Sequence, residues 1–471
     1  MNPNAFAWLA LGLWPLVALV VFASPWGQER LARTTAWMML LPWMFLPSSM
    51  EFNTPLVRLD KHKLSLLAIA IGVFLFGKAE PSDRASSRLV PRLAFLVLAA
   101  GALLTVLGNE DPLYYLTRVI GGLTGHDALS IVVALFLSVY LPFVVGQRVF
   151  RTRKDLVDLL DVLSLCGVIY LPLCLFEVYM SPLLHYWIYG FTPSEFFDAK
   201  RYGGFRPIVF MNHGLAVATF MFTCLCAALT LRRVRAPVEH PKAGTRSVVA
   251  GSLVILCKSL GALVFALFAA VLDLAAGPRA TRWALTLVAL IVLAYPTVRA
   301  TKLFPTEAVI AFFTRVNAER AESLAFRLRN EDRLLERAEA RPVFGWGTWG
   351  RNRVYAESGD DLSITDGDWI IRLGSFGYVG FLGFYLLLLA PVARFVLWSR
   401  EMTRADQALL GGLAVMVAFL VLDLLPNSLP GFTPIVYAGA LHGLSRRYRS
   451  GQRAQSSARH PLAVPGTDRA A

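Results

Sequence analysis

The chain has 471 residues, of which 56% are hydrophobic and only 17% are charged, and its formal net charge is +14. Ordinary globular domains carry roughly 25% charged residues, so the composition excludes a soluble protein of about three domains. Many apolar runs approach the ~20 residues that cross a bilayer as a helix. Lipid cannot satisfy backbone polar groups, and these runs lack the alternation of barrel strands. The sequence therefore predicts an all-α, polytopic membrane helix bundle.

The predicted spans are distributed along almost the whole chain. In order they are 5–22, 36–50, 64–77, 89–107, 128–146, 158–179, 208–231, 247–276, 281–299, 376–398, 408–426 and 431–444. The excess positive charge lies in the short loops between them, which is typical of topology determinants. We therefore predict the lipid bilayer as a partner and no nucleic acid.

The Lys/Arg-rich loops predict the orientation of the spans, because such loops stay cytoplasmic. They are 84–92, 148–154, 232–246, 279–282, 394–404 and 446–453. Both ends of 247–276 then lie inside, so this segment must cross twice, or dip in and return. We place the break at Cys257–Gly261, where Lys258 and Ser259 interrupt the apolar run. This gives about 12–13 membrane segments, with 108–127, 180–207 and 300–375 outside. The number of crossings before residue 78 stays open.

Four regions follow from these spans: membrane helices over 1–299, a large outer loop over 300–375, membrane helices over 376–446, and a disordered cytoplasmic tail over 447–471. Within the outer loop, 315–341 is predicted to be an amphipathic helix at the membrane surface. Its apolar stripe is Leu324, Leu328, Leu335 and Ala338.

An irregular turn is predicted to follow this helix. Arg341 ends it, because a residue that precedes proline disfavours the α conformation. Three glycines and two tryptophans come next, and tryptophan is typical of membrane interfaces. The turn reads Gly345-Trp346-Gly347-Thr348-Trp349-Gly350.

Arginines of the loop helix are the first candidates for chemistry. Arg327, Arg333 and Arg337 could bind a pyrophosphate at the lipid surface, because guanidinium groups bind phosphate bidentately and stay charged. The alternative is that these arginines pair with carboxylates along a solvated helix. Those carboxylates are Glu331, Asp332, Glu336 and Glu339.

Two further polar clusters carry candidate residues. Arg201, Arg206 and His213 precede or begin the 208–231 span, and ionisable residues at membrane depth are functional candidates; alternatively, His213 is a packing residue. The second cluster could supply a general base or bind a cation, or be a solvated acidic turn. It comprises Asp360, Asp361, Asp366, Asp368 and Arg372. The five cysteines lack metal-ligand spacing, and we predict no metal or cofactor.

The order of these motifs resembles the O-antigen ligase/polymerase superfamily of bacterial envelope glycosyltransferases over roughly 160–445. The family's Pro-aromatic-Gly-x-Gly turn corresponds to Pro342–Gly347, and its last loop motif to Asp366–Gly380. Arg327 stands where the family's loop arginine is expected. The resemblance implies a multi-pass protein of the bacterial inner membrane with a periplasmic active face. It also implies an undecaprenyl-pyrophosphate-linked glycan as substrate and a chain-length regulator protein as a partner.

Site roles follow from this resemblance. Asp366 or Asp368 would be the catalytic base, and His213 would orient or assist. Arg327 and Arg206 would hold the pyrophosphate, and the Gly/Trp turn would form a sugar-binding wall. Further substrate-binding candidates are Arg201, Arg333, Arg337, Arg372, Trp346 and Trp349.

One departure from the family pattern favours a polymerase. Ligases of this family carry histidine where Asp366 stands, so the resemblance implies the O-antigen or exopolysaccharide polymerase branch. Two alternatives stay open: a ligase that transfers the glycan to another acceptor, and a flippase or transporter. A transporter would use intramembrane charges, of which Glu177, Lys258, Asp273 and Asp423 are examples.

Overall fold

The computed structural model of the protein describes residues 2–77, 89–194, 199–201, 203–234, 242–275, 277–316, 318–428 and 431–445. Helices account for 73% of the structure and strands for 4%. The predicted all-α bundle is therefore confirmed. The predicted tail, 447–471, lies outside the described residues.

Most helices coincide with predicted spans. They are α1 (Ala5–Ala23), α2 (Pro25–Glu29), α3 (Leu31–Phe45), α4 (Lys61–Phe76), α5 (Leu89–Leu107), α6 (Gly125–Leu135), α7 (Leu141–Val149), α8 (Arg153–Met180), α9 (Leu184–Tyr189), α10 (Gly214–Arg233), α11 (Ala243–Leu256), α12 (Leu260–Leu274), α13 (Pro278–Ala300), α14 (Thr306–Val316), α15 (Ala318–Glu339), α16 (Asp368–Trp398), α17 (Arg404–Asp423) and α18 (433–445). A single π-helical turn, Phe136–Tyr140, joins α6 to α7.

Within the described residues, eight helical stretches are long and apolar enough to cross a membrane: α1, α5, α6–α7, α8, α10, α13, α16 and α17. Two shorter apolar helices, α11 and α12, accompany them. The central helix is α10, because 89% of the residues in its most apolar stretch are buried in protein. Three antiparallel hairpins supply the strands: β1–β2 (Glu51–Asn53 with Arg58–Asp60), β3–β4 (Leu113–Tyr114 with Val119–Ile120) and β5–β6 (Lys200–Arg201 with Gly204–Phe205).

Helix ends are fixed by local capping. The Thr152 hydroxyl accepts the Asp155 backbone N–H at 3.2 Å, and the Asp155 carboxylate accepts the Thr152 N–H at 2.8 Å. This reciprocal pair satisfies two donors that a helix start leaves unbonded. At the start of α17, the Thr403 hydroxyl accepts the Asp406 backbone N–H at 3.2 Å and donates to the Asp406 carboxylate at 2.6 Å.

The loops gather at two opposite ends of the bundle. One end, the basic face, comprises 24–33, 148–158, 232–234, 242–246, 272–275, 277–282 and 398–406. It is joined by the ion pairs of Arg33 with Asp161 (2.9 Å) and of Arg246 with Asp161 (2.6 Å). The other end, the loop face, comprises 46–60, 108–124, 181–194, 199–201, 203–213, 257–259, 299–316, 318–367 and 424–428. The lysine- and arginine-rich connections that the structure describes are thus on one side of the bundle.

The break predicted inside 247–276 is confirmed. Helix α11 ends at Leu256 and α12 begins at Leu260, and Lys258 between them has a positive φ of 51°. The Arg206 guanidinium donates to the carbonyls of Cys257 and Lys258 at 3.2 and 3.3 Å. A cation at a helix C-terminus complements the helix dipole. The two helices therefore form a hairpin whose bend lies at the loop face and whose ends lie at the basic face.

The structure also places the N-terminal region, for which the sequence left the number of membrane crossings open. Asn4 donates its side-chain amide to the Ile188 carbonyl at 2.8 Å, which places the start of α1 at the loop face. The Ser48 backbone N–H donates to His185 Nε2 at 3.2 Å. The connection between α3 and α4 therefore returns to the loop face, as expected for 51–63.

Helix α16 differs most from its predicted span. It begins at Asp368, so the last eight residues of the predicted 300–375 loop belong to it. Gly377 has φ 62° and ψ −165°, which interrupts the helix. A straight helix would separate Asp368 from Tyr385 by roughly 25 Å, yet the Tyr385 hydroxyl donates to Asp368 Oδ2 at 3.1 Å. The chain thus folds back at Gly377 into a short first arm and a long second arm.

Candidate functional site

The predicted amphipathic helix lies across the loop face as α15. Leu328, Leu335 and Ala338 of its stripe are buried, and Leu324 is half-buried. The helix ends at Glu339, just before the Arg341-Pro342 pair that was expected to end it. Its packing on α16 makes it part of the bundle and fixes the positions of its polar side chains.

A buried ionic cluster, here called the α15 clamp, holds this helix in place. Arg299, at the end of α13, donates to Asp332 Oδ1 at 2.8 Å and to the Leu328 carbonyl at 3.1 Å, and lies 3.6 Å from Glu331 Oε2. Glu331 also accepts from the Tyr295 hydroxyl and the Trp369 indole N–H, at 3.1 and 3.3 Å.

Burial raises the pKa of the Glu331 carboxyl from its ordinary value of 4.5 to about 6. The Arg299 charge and the hydrogen bonds from Trp369 and Tyr295 oppose this rise. Arg299 itself is only 4% exposed. Sequence reasoning missed this arginine, because it stands at the end of an apolar span and resembles a topology-determining charge.

The irregular turn docks on the bend of α16 through backbone atoms. The N–H groups of Trp346 and Gly347 donate to the carbonyls of Gly374 and Ser375, both at 2.8 Å, and the Tyr378 N–H donates to the Pro342 carbonyl at 2.8 Å. A Cβ at Gly345 would lie 2.5 Å from the Ser375 carbonyl carbon. Close backbone approach therefore explains the glycines of both motifs.

The two tryptophans of the turn have different surroundings. Trp346 is buried, and the guanidinium carbons of Arg337 and Arg341 lie 3.3 and 4.2 Å from its ring centroid. Its ring is thus occupied by protein cations. Trp349 is 51% exposed and has a φ of 55°, a strained conformation for a large side chain. Of the two, Trp349 offers the free aromatic surface.

A second buried arginine, which sequence reasoning also missed, ties the turn to the α5–α6 connection. Arg351 is fully buried. Its guanidinium donates to the carbonyls of Asp111, Gly121 and Trp346 at 2.8, 2.9 and 3.2 Å. Arg341 donates to Asn109 Oδ1 at 2.6 Å in the same region. These two arginines therefore hold the turn against the α5–α6 connection.

The structure brings Arg327 and Asp366 together in an ion pair. Arg327 Nε lies 3.4 Å from Asp366 Oδ2, and the two side chains are 36% and 35% exposed. Arg327 also donates to the Pro426 carbonyl at 3.2 Å. Both groups are therefore accessible from solvent while being held on different elements, α15 and the segment before α16.

The ends of α10 and α17 complete this site. Asp423 accepts from the Thr219 hydroxyl at 3.2 Å and from the Asn427 amide at 2.9 Å. His213 caps α10, with its Nδ1 accepting the Leu215 N–H at 3.1 Å. Six helical residues separate His213 from Thr219, a rise of roughly 9 Å. His213 thus stands at the rim of the site, half-buried.

Asp368 is placed differently from Asp366. It is 5% exposed, and its carboxylate accepts from Arg372 Nε at 2.6 Å and from the Tyr385 hydroxyl at 3.1 Å. Its backbone N–H donates to the Leu424 carbonyl at 3.0 Å. Asp368 and Arg372 therefore join the two arms of α16, and Asp366 is the aspartate that a substrate can reach.

The remaining predicted residues lie apart from the Arg327–Asp366 pair or take other partners. Arg206 is 5% exposed and caps the α11 end, and the side chain of Arg201 lies outside the described residues. Arg333 and Arg337 donate to the carbonyls of Leu362 and Arg351, both at 3.2 Å. Arg327, Arg333 and Arg337 thus reach elements other than their own helix, which differs from the alternative of pairing along α15.

The charges that a transporter path would need are dispersed. Glu177 accepts three backbone N–H groups, from Leu184, Ile208 and Val209, at 2.7–3.2 Å. Asp273 lies at the basic face, 3.9 Å from Arg232, whereas Asp423 lies at the loop face. Among the described residues, no cluster of three His, Cys, Asp or Glu side chains has metal-binding geometry.

No protein-family model matches this chain, and no curated protein sequence matches it either.

Proposed function

We propose that this chain is a glycosyltransferase of the bacterial inner membrane that polymerises oligosaccharide units linked to undecaprenyl pyrophosphate. In this proposal the loop face is periplasmic and the basic face cytoplasmic. The observation that carries it is the half-exposed Arg327–Asp366 pair, 3.4 Å apart, at the membrane end of a helical bundle. A guanidinium and a carboxylate are the two groups that transfer from a lipid pyrophosphate requires.

The reaction assigns one task to each group. The acceptor hydroxyl attacks the anomeric carbon of the donor sugar, and its proton passes to the Asp366 carboxylate. The bond between that carbon and the pyrophosphate oxygen breaks, and Arg327 stabilises the charge on the departing pyrophosphate. Fixed guanidinium groups supply this stabilisation without a metal ion.

The ion pair also connects donor binding to release of the Asp366 carboxylate. In the part of the chain that the structure describes, Asp366 is the one carboxylate within 4 Å of the Arg327 guanidinium, which also donates to the Pro426 carbonyl. When a pyrophosphate binds Arg327, it competes with Asp366 for the same guanidinium. The Asp366 carboxylate is then released from this ion pair and is free to accept the proton of the acceptor hydroxyl.

A hollow beside the exposed Trp349 suits the acceptor glycan. It has a volume of about 560 Å³ and lies between the β3–β4 hairpin and residues 349–361. Tyr355, Arg353 and Asp361 line it, and the last two form an ion pair at 2.8 Å. An aromatic face with polar groups beside it is the surface that a sugar ring requires. Asp361 is five residues from Asp366, so their Cα atoms are at most roughly 18 Å apart.

The test compares matched variants in lipid nanodiscs supplied with defined lipid-linked oligosaccharides. Asp366→Asn should lower polymer formation at least about 100-fold, the usual contribution of a general base. Arg327→Lys should also lower it, because lysine cannot bind phosphate bidentately. Arg329→Lys and Asp360→Asn, on the exposed surface of the same loop, are the controls and should keep activity. Unchanged polymer length and yield with Asp366→Asn or Arg327→Lys would refute the role of that residue.

The same assay separates the other two functions. Transfer of a preformed chain in one step to a different acceptor, without elongation, would indicate a ligase. Binding of the lipid-linked donor, with its movement across the nanodisc or liposome membrane and no new glycosidic bond, would indicate a transporter. Products that lengthen by one repeat unit at a time support the polymerase.

A further inference from the structure

A cavity of about 750 Å³ opens at the basic face, opposite the site described above. It lies among α10, α12, α13, α16 and α17. Ligand sites commonly enclose roughly 300–1,000 Å³, so the cavity is large enough for part of a lipid. Its walls are apolar, with Leu229, Leu272, Phe395 and Val415 among the lining side chains.

The cavity exists because consecutive helices diverge over a floor of small residues. Helix α12 packs on α10, whereas α13 packs on α16 and α17. The floor is the first part of α17, with Ala408, Gly411 and Gly412. A side chain at Gly412 would overlap the Thr230 hydroxyl, and one at Gly411 would lie 3.3 Å from the Phe395 ring. The glycines thus let α17 pack closely against α10 and α16 at the floor of the cavity.

Helices α12 and α13, which border the cavity, also carry exposed apolar side chains. On α12, Leu267, Phe268 and Val271 are 57–58% exposed, and on α13, Leu287 and Leu290 are 59–60% exposed. In a membrane-spanning bundle such apolar surfaces face hydrocarbon. A chain that enters between α12 and α13 therefore comes directly from the bilayer.

The rim of the cavity is cationic. Arg233 and Arg404 line it, and Arg232 lies beside it. Asp273 also lines the cavity, but Arg232 and Arg233 flank its carboxylate at 3.9 and 4.0 Å. Among the described residues of this rim, three guanidinium groups thus face one carboxylate, which gives a net positive charge. Basic residues at this depth attract anionic headgroups.

We propose that this cavity binds one anionic glycerophospholipid from the leaflet at the basic face. The phosphate would lie at Arg233 and Arg404, and an acyl chain would run along Leu272 and Val415. The site is independent of the glycosyltransferase proposal, because none of these residues lies at the loop face.

Native mass spectrometry of the purified full-length chain, titrated with dioleoyl phosphatidylglycerol or dioleoyl phosphatidylcholine, tests this site. One phosphatidylglycerol should bind more tightly than phosphatidylcholine. A basic residue near the membrane contributes about fivefold in affinity, so Arg404→Gln should weaken binding about fivefold. Arg233→Gln combined with Arg404→Gln should weaken it about 25-fold, and Arg400→Gln, outside the cavity, should change nothing. Ala408→Trp, which fills the floor, should remove one bound lipid.

Three results would overturn the proposal. They are equal affinity for the two lipids, wild-type affinity in the double arginine variant, and displacement of the lipid by inorganic phosphate alone. The last result would show that the rim binds a phosphate ion without needing a chain. Because the arginine variants alter exposed or rim side chains, they keep the test valid even where Ala408→Trp fails to fold.

Discussion

Replacement of Arg299 by methionine removes the cation of the α15 clamp while keeping a side chain of similar length. Glu331 then keeps its two hydrogen bonds but loses the guanidinium 3.6 Å away, and Asp332 loses its partner at 2.8 Å. Removing one member of a buried ion pair typically costs about 3–5 kcal/mol, because the remaining charge stays buried without compensation. We expect the docking of α15 to weaken by about 3 kcal/mol.

Hydrogen exchange of the α15 amides in nanodiscs measures this docking. A loss of about 3 kcal/mol corresponds to exchange that is faster by roughly 100-fold. The double variant Arg299→Met with Glu331→Gln removes both charges, so it should recover most of the protection. Unchanged exchange in Arg299→Met, or no recovery in the double variant, would refute the clamp as the element that fixes α15.

The hydrogen exchange of the α15 amides should also depend on pH, in a direction that follows from the pKa of Glu331. The pKa of Glu331 is raised from 4.5 to about 6, so the docked helix binds the proton more tightly than the undocked one. The stabilisation is fully present below pH 4.5 and is lost as the pH rises through about 6. The rise corresponds to about 2 kcal/mol. Exchange corrected for its intrinsic rate should show this step in the wild type, and Glu331→Gln should abolish it.

Three further predictions concern the elements around the site. Gly377→Ala should lower thermal stability and the amount of inserted protein, because Gly377 has a φ of 62° and a Cβ there would overlap the turn. The control Gly261→Ala should change neither quantity, because the space around its Cβ is open. Arg351→Met should leave three carbonyls without their donor, weaken the docking of 108–124 by about 3 kcal/mol, and make that segment sensitive to protease. Burial lowers the pKa of His185 to about 4. The hydrogen bond from the Ser48 N–H to His185 should therefore be fully present above pH 6.5 and be lost as the pH falls through 4. Hydrogen exchange of the Ser48 amide measures this loss.

Much of the fold could be predicted because it follows from two strong physical constraints. Lipid requires long apolar helices, and lysines and arginines accumulate in loops on one side. The bend at Lys258 is the best example, since the charge rule alone demanded a return where hydropathy showed one continuous run. The ends of α15 and the glycine turn followed from equally local rules, the apolar stripe and Pro342.

The first arm of α16 could not be predicted in this manner. Residues 368–376 are helical and folded back because Gly377 adopts a left-handed φ and the Pro342–Gly347 turn packs against it. Both causes are tertiary contacts between segments far apart in sequence. The buried positions of Arg299 and Arg351 have the same origin, because nothing adjacent in the chain indicates that a guanidinium will be enclosed by carbonyls.

Four arginines of the loop face, Arg206, Arg299, Arg327 and Arg351, divide into two groups by how far solvent reaches the guanidinium group. Arg206 and Arg351 are buried and donate to backbone carbonyls, which cannot leave without unfolding a helix end or a turn. Arg299 is enclosed by the clamp. Arg327 differs, because its own side chain is 36% exposed and its charged partner Asp366 is 35% exposed, so a phosphate can reach the guanidinium group and replace the carboxylate. A permanently charged group must always be compensated, so only an arginine with a replaceable partner can exchange it for a substrate phosphate. Among Arg206, Arg299, Arg327 and Arg351, this criterion selects Arg327, and it does so without reference to any sequence motif.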